Sequence, residues 1–397
     1  MAQQRNIAVI GAGTGDAQTL AAHPALVGVD AVIGGARLLE AVAANPARKI
    51  PVGKDVAATL DEAAVLLEQG KTVAVLASGD PLFFGIGTAV AARFGADRLC
   101  VYPAVSSLQT AAARLTLPWA DVAAVSLHGR QNPLPLAHAL IRGGPVCLLT
   151  DRVNTPSVAA IFMLERGRTN YRTHVFARLG DKEESAWHGS LAAMAEKEFP
   201  DPNVVFLLPD TSLPAPLPLC PGQPESAYAH ERALITKWPV RAAALAALRI
   251  EPGHTVWDLG SGSGSVAVEA SALAWRGQIV AVEKNAARAA HIAENRRRFG
   301  AANLEIAHAT LPGCLDTLPA PDRVFIGGGL GGDRTAAEQL IRQAWNRLKP
   351  GGRLVAACVL LCGPDLARDT LAQLGCEPET AMVQAASSTP LGGDAYL

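Results

Sequence analysis

Short apolar runs bounded by polar or glycine-containing turns alternate with longer stretches of helical periodicity along the whole chain. In the first half the runs Ile7 to Ile10, Ala31 to Ile33, Thr72 to Leu76, Leu99 to Tyr102, Val122 to Ser126 and Val146 to Leu149 read as buried strands. Helical stretches such as Val56 to Gln69 separate them, and this rhythm predicts an α/β fold. The pattern breaks at Pro209 to Ser226, PDTSLPAPLPLCPGQPES, a proline-rich stretch whose composition predicts a semi-rigid exposed linker. Two domains are therefore expected, residues 1–208 and 227–397, folding as separate units across a linker at 209–226. Beyond it the alternation restarts with a helix over Val240 to Leu248, a strand from Thr255, a strand over Gln278 to Val282 and a helix over Ala286 to Phe299. Strands over Asn303 to Ala307 and Arg323 to Ile326, a helix over Thr335 to Leu348 and a strand over Arg353 to Leu360 follow, the order of a doubly wound sheet. Thr380 to Ser387 is a candidate sixth strand, and no run after it offers a seventh.

The second half is organised around Thr255 to Ala270, TVWDLGSGSGSVAVEA. A strand ends at Asp258 and meets glycines at 260, 262 and 264, after which an apolar helix begins. Alternate glycines let the backbone take positive φ and approach a ligand without an intervening Cβ, and the following helix offers unpaired N–H groups. The dinucleotide fingerprint is G-x-G-x-x-G, whereas the third glycine here comes one residue early and Ser265 stands in its place. The pattern D-x-G-x-G-x-G resembles the first motif of the class I S-adenosylmethionine (SAM) methyltransferases. Glu283, at the end of the next strand, is placed to accept hydrogen bonds from ribose hydroxyls, a role common to SAM and dinucleotide sites. A nicotinamide or flavin dinucleotide and a structural glycine turn are the competing readings.

Composition narrows the field. A length of 397 residues suits two cores. A net charge of -1 and 5% aromatics, with no basic block, argue against a nucleic-acid footprint. The N-terminus lacks an apolar signal region and no uninterrupted run reaches the length of a membrane span, so a cytoplasmic protein off the membrane is expected. Seven cysteines with no C-x-x-C pair suggest buried reduced thiols rather than disulfides or a metal site.

Four turns of the first half stand at the carboxyl ends of expected parallel strands, where open α/β sheets bind ligands. They are Gly11 to Asp16 (GAGTGD), Ser78 to Gly85 (SGDPLFFG), Pro103 to Gln109 (PAVSSLQ) and His128 to Arg130 (HGR). With Leu149 to Ser157 (LLTDRVNTPS) and Asn203 to Leu208 (NVVFLL), they resemble the tetrapyrrole (corrin/porphyrin) methylase family over about the first 208 residues. Thr14 replaces that family's usual proline, and Ala104 a common glycine. The resemblance implies a two-lobed fold holding SAM by the loops that match Gly79, Asp80, Pro81, Ser106 and Ser107. Asp80 also fits a helix N-cap. For His128 and Arg130 a solvated loop is the plainer alternative. The fork of the Arg130 guanidinium suits the carboxylate arms of a uroporphyrin-derived ring.

In the second half, LITKWPVR (234–241), ATLPGCL (309–315), FIGGGLGG (325–332) and LKPGGR (348–353) resemble the corrin-pathway methyltransferases that also decarboxylate an acetate arm. That resemblance implies SAM contacts at Thr236, Gly260, Ser261, Gly262, Ser263, Gly264, Glu283 and Ala309, with Asp258 leading the loop. Lys237 and Arg241 are candidates for substrate carboxylates, with a solvated helix face as the alternative. The fused order resembles bifunctional enzymes of cobalamin biosynthesis and implies two SAM molecules, methylation at carbons 5 and 15 of a precorrin-type tetrapyrrole, and loss of carbon dioxide from ring C. A homo-oligomer is the expected state. A cobalt-containing substrate, or a SAM and tetrapyrrole binder with one inactive half, remains open at this level. Asp80 and Arg130 are the candidate reactive groups of the first half. His308, Asp333 and Arg334 are those near the second cleft, and the sequence does not choose among them.

Overall fold

A computed structural model of the chain describes residues 6–14, 17–53, 55–232, 234–328, 330, 333–358, 362–385, 389–391 and 394–396. The chain divides into two compact units: residues 1–130, 145–157 and 173–208 in the first, and 131–144, 158–172 and 209–397 in the second. The second unit thus takes two segments from before the linker.

The first unit carries one five-stranded sheet and the bulk of another. Strands β1 (Ile7–Gly11), β2 (Ala31–Gly34), β3 (Arg48–Pro51), β4 (Val73–Ala77) and β5 (Leu99–Tyr102) form a parallel sheet in the order β3-β2-β4-β1-β5. Its strands read as continuous apolar runs because both faces are covered. Ile7, Val9, Ile33, Val73 and Val75 enter one core, while Ile10, Val32, Ala74 and Leu76 enter the other. Strands β6 (Ala123–Ser126), β7 (Val146–Leu149), β8 (Tyr171–Ala177), β9 (Ser185–Ser190) and β10 (Asn203–Pro209) make the second sheet, in the order β6-β7-β10-β8-β9. Here β6 and β7 run parallel, and β7 and β10 antiparallel.

In the second unit β11 (Thr255–Leu259), β12 (Gln278–Glu283), β13 (Leu304–His308), β14 (Arg323–Ile326) and β15 (Arg353–Ala356) form a parallel sheet in the order β13-β12-β11-β14-β15. The order reverses at β11, and the crevice outside the carboxyl ends at such a point is where these sheets bind ligands. Alternation sorts the side chains: Val256, Ile279, Ala281 and Phe325 pack under the helices Trp238–Leu248, Ser265–Leu273 and Ala286–Phe299, and Trp257, Leu259, Val280, Val282, Val324 and Ile326 face the helix Arg334–Arg347. The last expected strand is shorter than its apolar run. Residues 357 and 358 are not strand, and 359–360 lie outside the described residues. Residues 380–385 are not strand either; instead β16 (Thr389–Leu391) and β17 (Asp394–Tyr396) pair as a short antiparallel hairpin.

The segments 131–144 and 158–172 close the amino ends of β12 and β13, opposite the ligand edge. The Arg166 side chain, 7% exposed, donates to the Ala302 carbonyl at 3.0 Å and pairs with Glu305 at 2.6 Å. Arg168 donates to Gly300 O at 2.8 Å, and His138 contacts Gly277 O at 3.0 Å through Nε2. The proline-rich stretch is largely exposed, as its composition predicts, but it is not free of backbone bonds. Leu217 N–H donates to Arg298 O, and Gly222 and Gln223 donate to the Glu269 carboxylate. The expected burial of the thiols holds for Cys147 but not for Cys220, which is exposed, or for Cys100, Cys314, Cys358 and Cys376, which are partly buried. No helix among the described residues is long and apolar enough to cross a membrane.

Candidate functional site

Strand β1 must pass very close to two loops. A Cβ on Gly11 would lie 2.7 Å from Ala104 Cβ and 2.9 Å from both Gly79 O and Pro81 Cδ. Two residues on, Gly13 and Gly79 exchange backbone hydrogen bonds at 3.2 and 3.3 Å, both at positive φ. The Asp80 carboxylate accepts from Leu82 N–H at 2.9 Å and from Ala104 N–H at 3.2 Å. Asp80 therefore clamps one ligand loop to the next. It is not a helix cap, since the next helix begins at Gly87. Ser106 opens the helix Ser107–Arg114 through a capping box with Gln109, and Thr14 contributes a hydroxyl contact to Thr110 at 2.9 Å.

These loops enclose a cavity of about 470 Å³ whose wall includes Gly13, Thr14, Gly79, Asp80, Ser106 and Ser107. The sequence-chosen residues meet there, except that Pro81 is buried behind its loop and Arg130 does not reach the wall. Arg130 instead donates from Nε to Ser126 O at 2.8 Å. His128 does line the cavity, and the cations that accompany it are Arg37 and Arg178, neither selected from the sequence. Arg37 follows β2 and so stands at a strand's carboxyl end, the signal that would have found it. Arg178 sits at φ 53° and pairs with Glu183. Gly15 and Asp16 of the first loop lie outside the described residues.

In the second unit the cradle is pinned at its start by Gly260 and Ser261, whose N–H groups both donate to Val282 O. Gly260, Gly262 and Gly264 have φ of 72°, 59° and 75°, as only glycine accepts readily. A Cβ on Gly260 would lie 2.9 Å from Gly328 Cα, so Gly328 of the FIGGGLGG loop packs onto the cradle; Gly329, Gly331 and Gly332 lie outside the described residues. A Cβ on Gly264 would meet Ile292 at 2.9 Å, but one on Gly262 would meet nothing within 4 Å among the described residues, its chain neighbours aside. The open space is at the middle glycine, where ligand was expected. Glu283 is buried, accepting from Gly262 N–H and Asn285 N–H, each at 2.9 Å. Ala309 N–H reaches Glu283 O at 3.2 Å, which brings the third strand's loop to the same place.

Asp258 is buried beneath the loop. Its Oδ2 accepts from Ser261 Oγ at 2.7 Å and Ala267 N–H at 3.1 Å, while Oδ1 has no partner among the described residues. Burial pushes its pKa up to about 6 against those two hydrogen bonds, with the Glu283 charge adding to the rise. An acid whose folded pKa exceeds its unfolded value binds more protons when folded, so its contribution to stability is present below pH about 3.9 and is lost as pH rises to about 6. Relative to Asp258→Asn, wild type is expected to lose about 2 kcal/mol of unfolding free energy between pH 4 and pH 7. A difference that stays flat across that window in urea titrations would refute the elevated pKa.

The remaining candidates separate. Arg241 is 0% exposed and bonded to Glu269 at 2.7 Å, Thr236 O at 2.6 Å and Gln223 O, so it does not meet substrate as the sequence suggested. Thr236 is held by that contact, and Lys237 is exposed at the cap of the helix Trp238–Leu248. Asp333 caps the helix Arg334–Arg347 by accepting from Thr335 N–H at 2.9 Å, and Arg334 pairs with Glu338. His308 stands exposed at the carboxyl end of β13, with Nε2 at 3.1 Å from Lys284 O.

Comparison with known proteins places a methyltransferase family match in each half of the chain. The family of Tetrapyrrole (Corrin/Porphyrin) Methylases matches residues 6–195, and the Precorrin methyltransferase domain matches residues 226–395. A precorrin-6Y C(5,15)-methyltransferase [decarboxylating] of Sinorhizobium sp is 33% identical over 330 residues, 83% of this chain and 78% of that protein. Its namesake in Mycobacterium tuberculosis (strain CDC 1551 / Oshkosh) is 31% identical over 334 residues, 83% of this chain and 80% of that protein. A cobalt-precorrin-6B C(15)-methyltransferase (decarboxylating) of Salmonella typhimurium is 37% identical over 168 residues, 42% of this chain and 84% of that protein. With both halves matched in order by relatives of this length, the chain belongs to the precorrin-6Y C(5,15)-methyltransferase (decarboxylating) family.

Proposed function

We propose that the chain methylates precorrin-6B at carbons 5 and 15 and removes the ring C acetate carboxyl as carbon dioxide, giving precorrin-8, with one SAM site in each half. Residues 1–208 carry the carbon 5 transfer, and residues 227–397 the carbon 15 transfer and the decarboxylation. The observation that carries this reading is the presence of two unrelated ligand loops: the cavity at Gly13, Gly79 and Ser106, and the glycine cradle with open space at Gly262. A cobalt-free substrate is favoured because the relatives spanning both halves are named for precorrin-6Y, while those named for cobalt-precorrin match only the second half.

The residues present fit the donor. The first cavity is of ligand size and combines loop backbone with the apolar walls Phe83, Leu149 and Phe176. SAM supplies an electrophilic methyl group and leaves as the neutral thioether. Methyl transfer to an electron-rich ring carbon then needs proximity and alignment more than a base. Gly79, Ser106 and Ser107 shape the first site; Gly260 to Gly264 and Glu283 shape the second.

Decarboxylation breaks the bond between the acetate methylene and its carboxylate, sends that electron pair toward the conjugated ring to leave an exocyclic methylene, and ends with a proton delivered to that methylene carbon, which becomes a methyl group. Asp333 is committed to its helix cap, so we assign the proton donor to His308: with Nε2–H held by Lys284 O, the imidazolium form, protonated at both nitrogens, would deliver its proton from Nδ1. His308→Ala is expected to slow carbon dioxide release about 10²-fold or more while carbon 5 methylation is unchanged. Equal release from wild type and variant would remove His308 from the mechanism. Incubation of the protein with precorrin-6B and methyl-labelled SAM, counting methyl groups and carbon dioxide per turnover, tests the whole reading. Two methyls and one carbon dioxide are expected, and a single methyl without carbon dioxide would refute it.

A further inference from the structure

Glycine-rich loops lose the most chain freedom when ordered, so a loop with three left-handed glycines binds ligand well only if the protein holds its shape beforehand. The start of the cradle is pinned by Val282 O, and its end by packing of Gly264 against Ile292. Between them lies Ser263, 5% exposed and flanked by Gly262 and Gly264. Its carbonyl accepts a 2.8 Å hydrogen bond from Nδ2 of Asn295, a fully buried residue of the helix Ala286–Phe299.

The same Asn295 amide is saturated by a second peptide. Oδ1 accepts from Ala229 N–H at 2.7 Å, and Nδ2 also donates to Ala229 O at 2.9 Å. Ala229 belongs to the strap 222–241 that leads into the helix Trp238–Leu248. That strap is anchored separately, by Gly222 and Gln223 N–H on Glu269 and by Arg241 on Glu269 and Thr236 O. One side chain therefore joins a fixed strap to the cradle at Ser263, between the Gly262 N–H bonded to Glu283 and the Gly264 N–H bonded to Ser261 O. Only a short primary amide has both the two donors and the acceptor that these three backbone groups require; an aspartate would set a carboxylate against two carbonyls.

We propose that Asn295 is a positioning residue for methyl-donor binding in the second unit, holding the glycine loop in its ligand-ready shape by tying Ser263 O to Ala229. The proposal rests on the reading above that this loop binds SAM. Fixing the Ser263 carbonyl sets ψ of Ser263 and φ of Gly264, and with them the direction of the neighbouring peptide planes. Without it, binding must also order the loop.

The test uses the full chain, with Asn295→Leu as the probe and Phe299→Leu as a control. Phe299 is a fully buried core residue of the same helix with no bond to the loop. S-Adenosylhomocysteine binding is read by ligand-induced hydrogen-exchange protection, separately over 256–268 and 77–82, well below both melting temperatures. Asn295→Leu is expected to weaken binding at 256–268 about tenfold, equivalent to about 1.4 kcal/mol, to raise KM for SAM in the carbon 15 step more than it lowers kcat, and to leave 77–82 unchanged. Phe299→Leu should lower the melting temperature without moving the affinity. Equal affinity in wild type and Asn295→Leu overturns the proposal. If wild type itself shows no protection at 256–268, the SAM reading fails there. Exchange in ligand-free protein then decides separately: faster exchange at 260–264 in Asn295→Leu alone supports loop positioning, and unchanged exchange refutes it.

Discussion

Gly262→Val is expected to abolish SAM binding in the second half while the protein stays folded and the first half keeps working. Gly262 has φ 59°, a conformation that a β-branched residue resists, at a cost of about 1–3 kcal/mol. Among the described residues, chain neighbours aside, no atom lies within 4 Å of the added Cβ, so the substitution meets none of the described core. The methyls instead enter the space that the open loop offers to ligand. Strain and occlusion together should weaken binding there by several kcal/mol, about a hundredfold or more. With precorrin-6B the variant should add one methyl at carbon 5, release no carbon dioxide and accumulate the singly methylated ring. Gly79→Val is the converse: φ there is 66°, and carbon 15 methylation with decarboxylation should survive it. Product mass and label counts read both. If folded Gly262→Val loses both methylations, one shared site replaces the assignment of one reaction to each half.

The glycine loops were legible because their requirement is local. A strand that must turn through positive φ needs glycine whatever surrounds it, and Gly11, Gly79, Gly260 and Gly262 all stand where the backbone takes that conformation or passes too close for a Cβ. The sheet order of the second half was legible for a similar reason, since strands covered on both faces show as unbroken apolar runs. Pairings across the chain were not. Arg241 reads as a partner for substrate carboxylates, or as a solvated helix arginine, until Glu269, 28 residues later, is seen to pair with it in the interior. The linker's composition correctly suggested exposure but carried no trace of the carboxylate that binds Gly222 and Gln223. Arg37 could have been found from the glycine pair Gly34-Gly35 that ends β2, which marks the same kind of strand-end turn as the loops selected, whereas Asn295 could not, because three backbone partners leave no mark on a sequence.

The buried pair of Arg241 and Glu269 leads to the largest expected loss of stability. Both side chains are 0% exposed, and each is fully committed: Arg241 to Glu269, Thr236 O and Gln223 O, and Glu269 to Arg241, Gly222 N–H, Gln223 N–H and the Tyr228 hydroxyl at 3.1 Å. Tyr228 closes the cluster with its ring 5.0 Å from the guanidinium, and burial holds its hydroxyl in the protonated donor form. Desolvating two charges makes such a pair a weak source of net stability, but removing one partner strands the other. Arg241→Met leaves an uncompensated carboxylate and two orphaned carbonyls, and is expected to cost about 3–5 kcal/mol. For a unit of this size that lowers the melting transition by about 10 °C. Glu269→Leu strands the guanidinium and three donors and should cost a similar amount. The two losses should not add, because the double variant removes both charges, and a double-mutant cycle should show about 2 kcal/mol or more of favourable coupling. Additive losses would mean that each residue acts through its backbone contacts alone. A loss below about 1 kcal/mol in Arg241→Met would mean that water reaches the pair and that the strap is not held from inside.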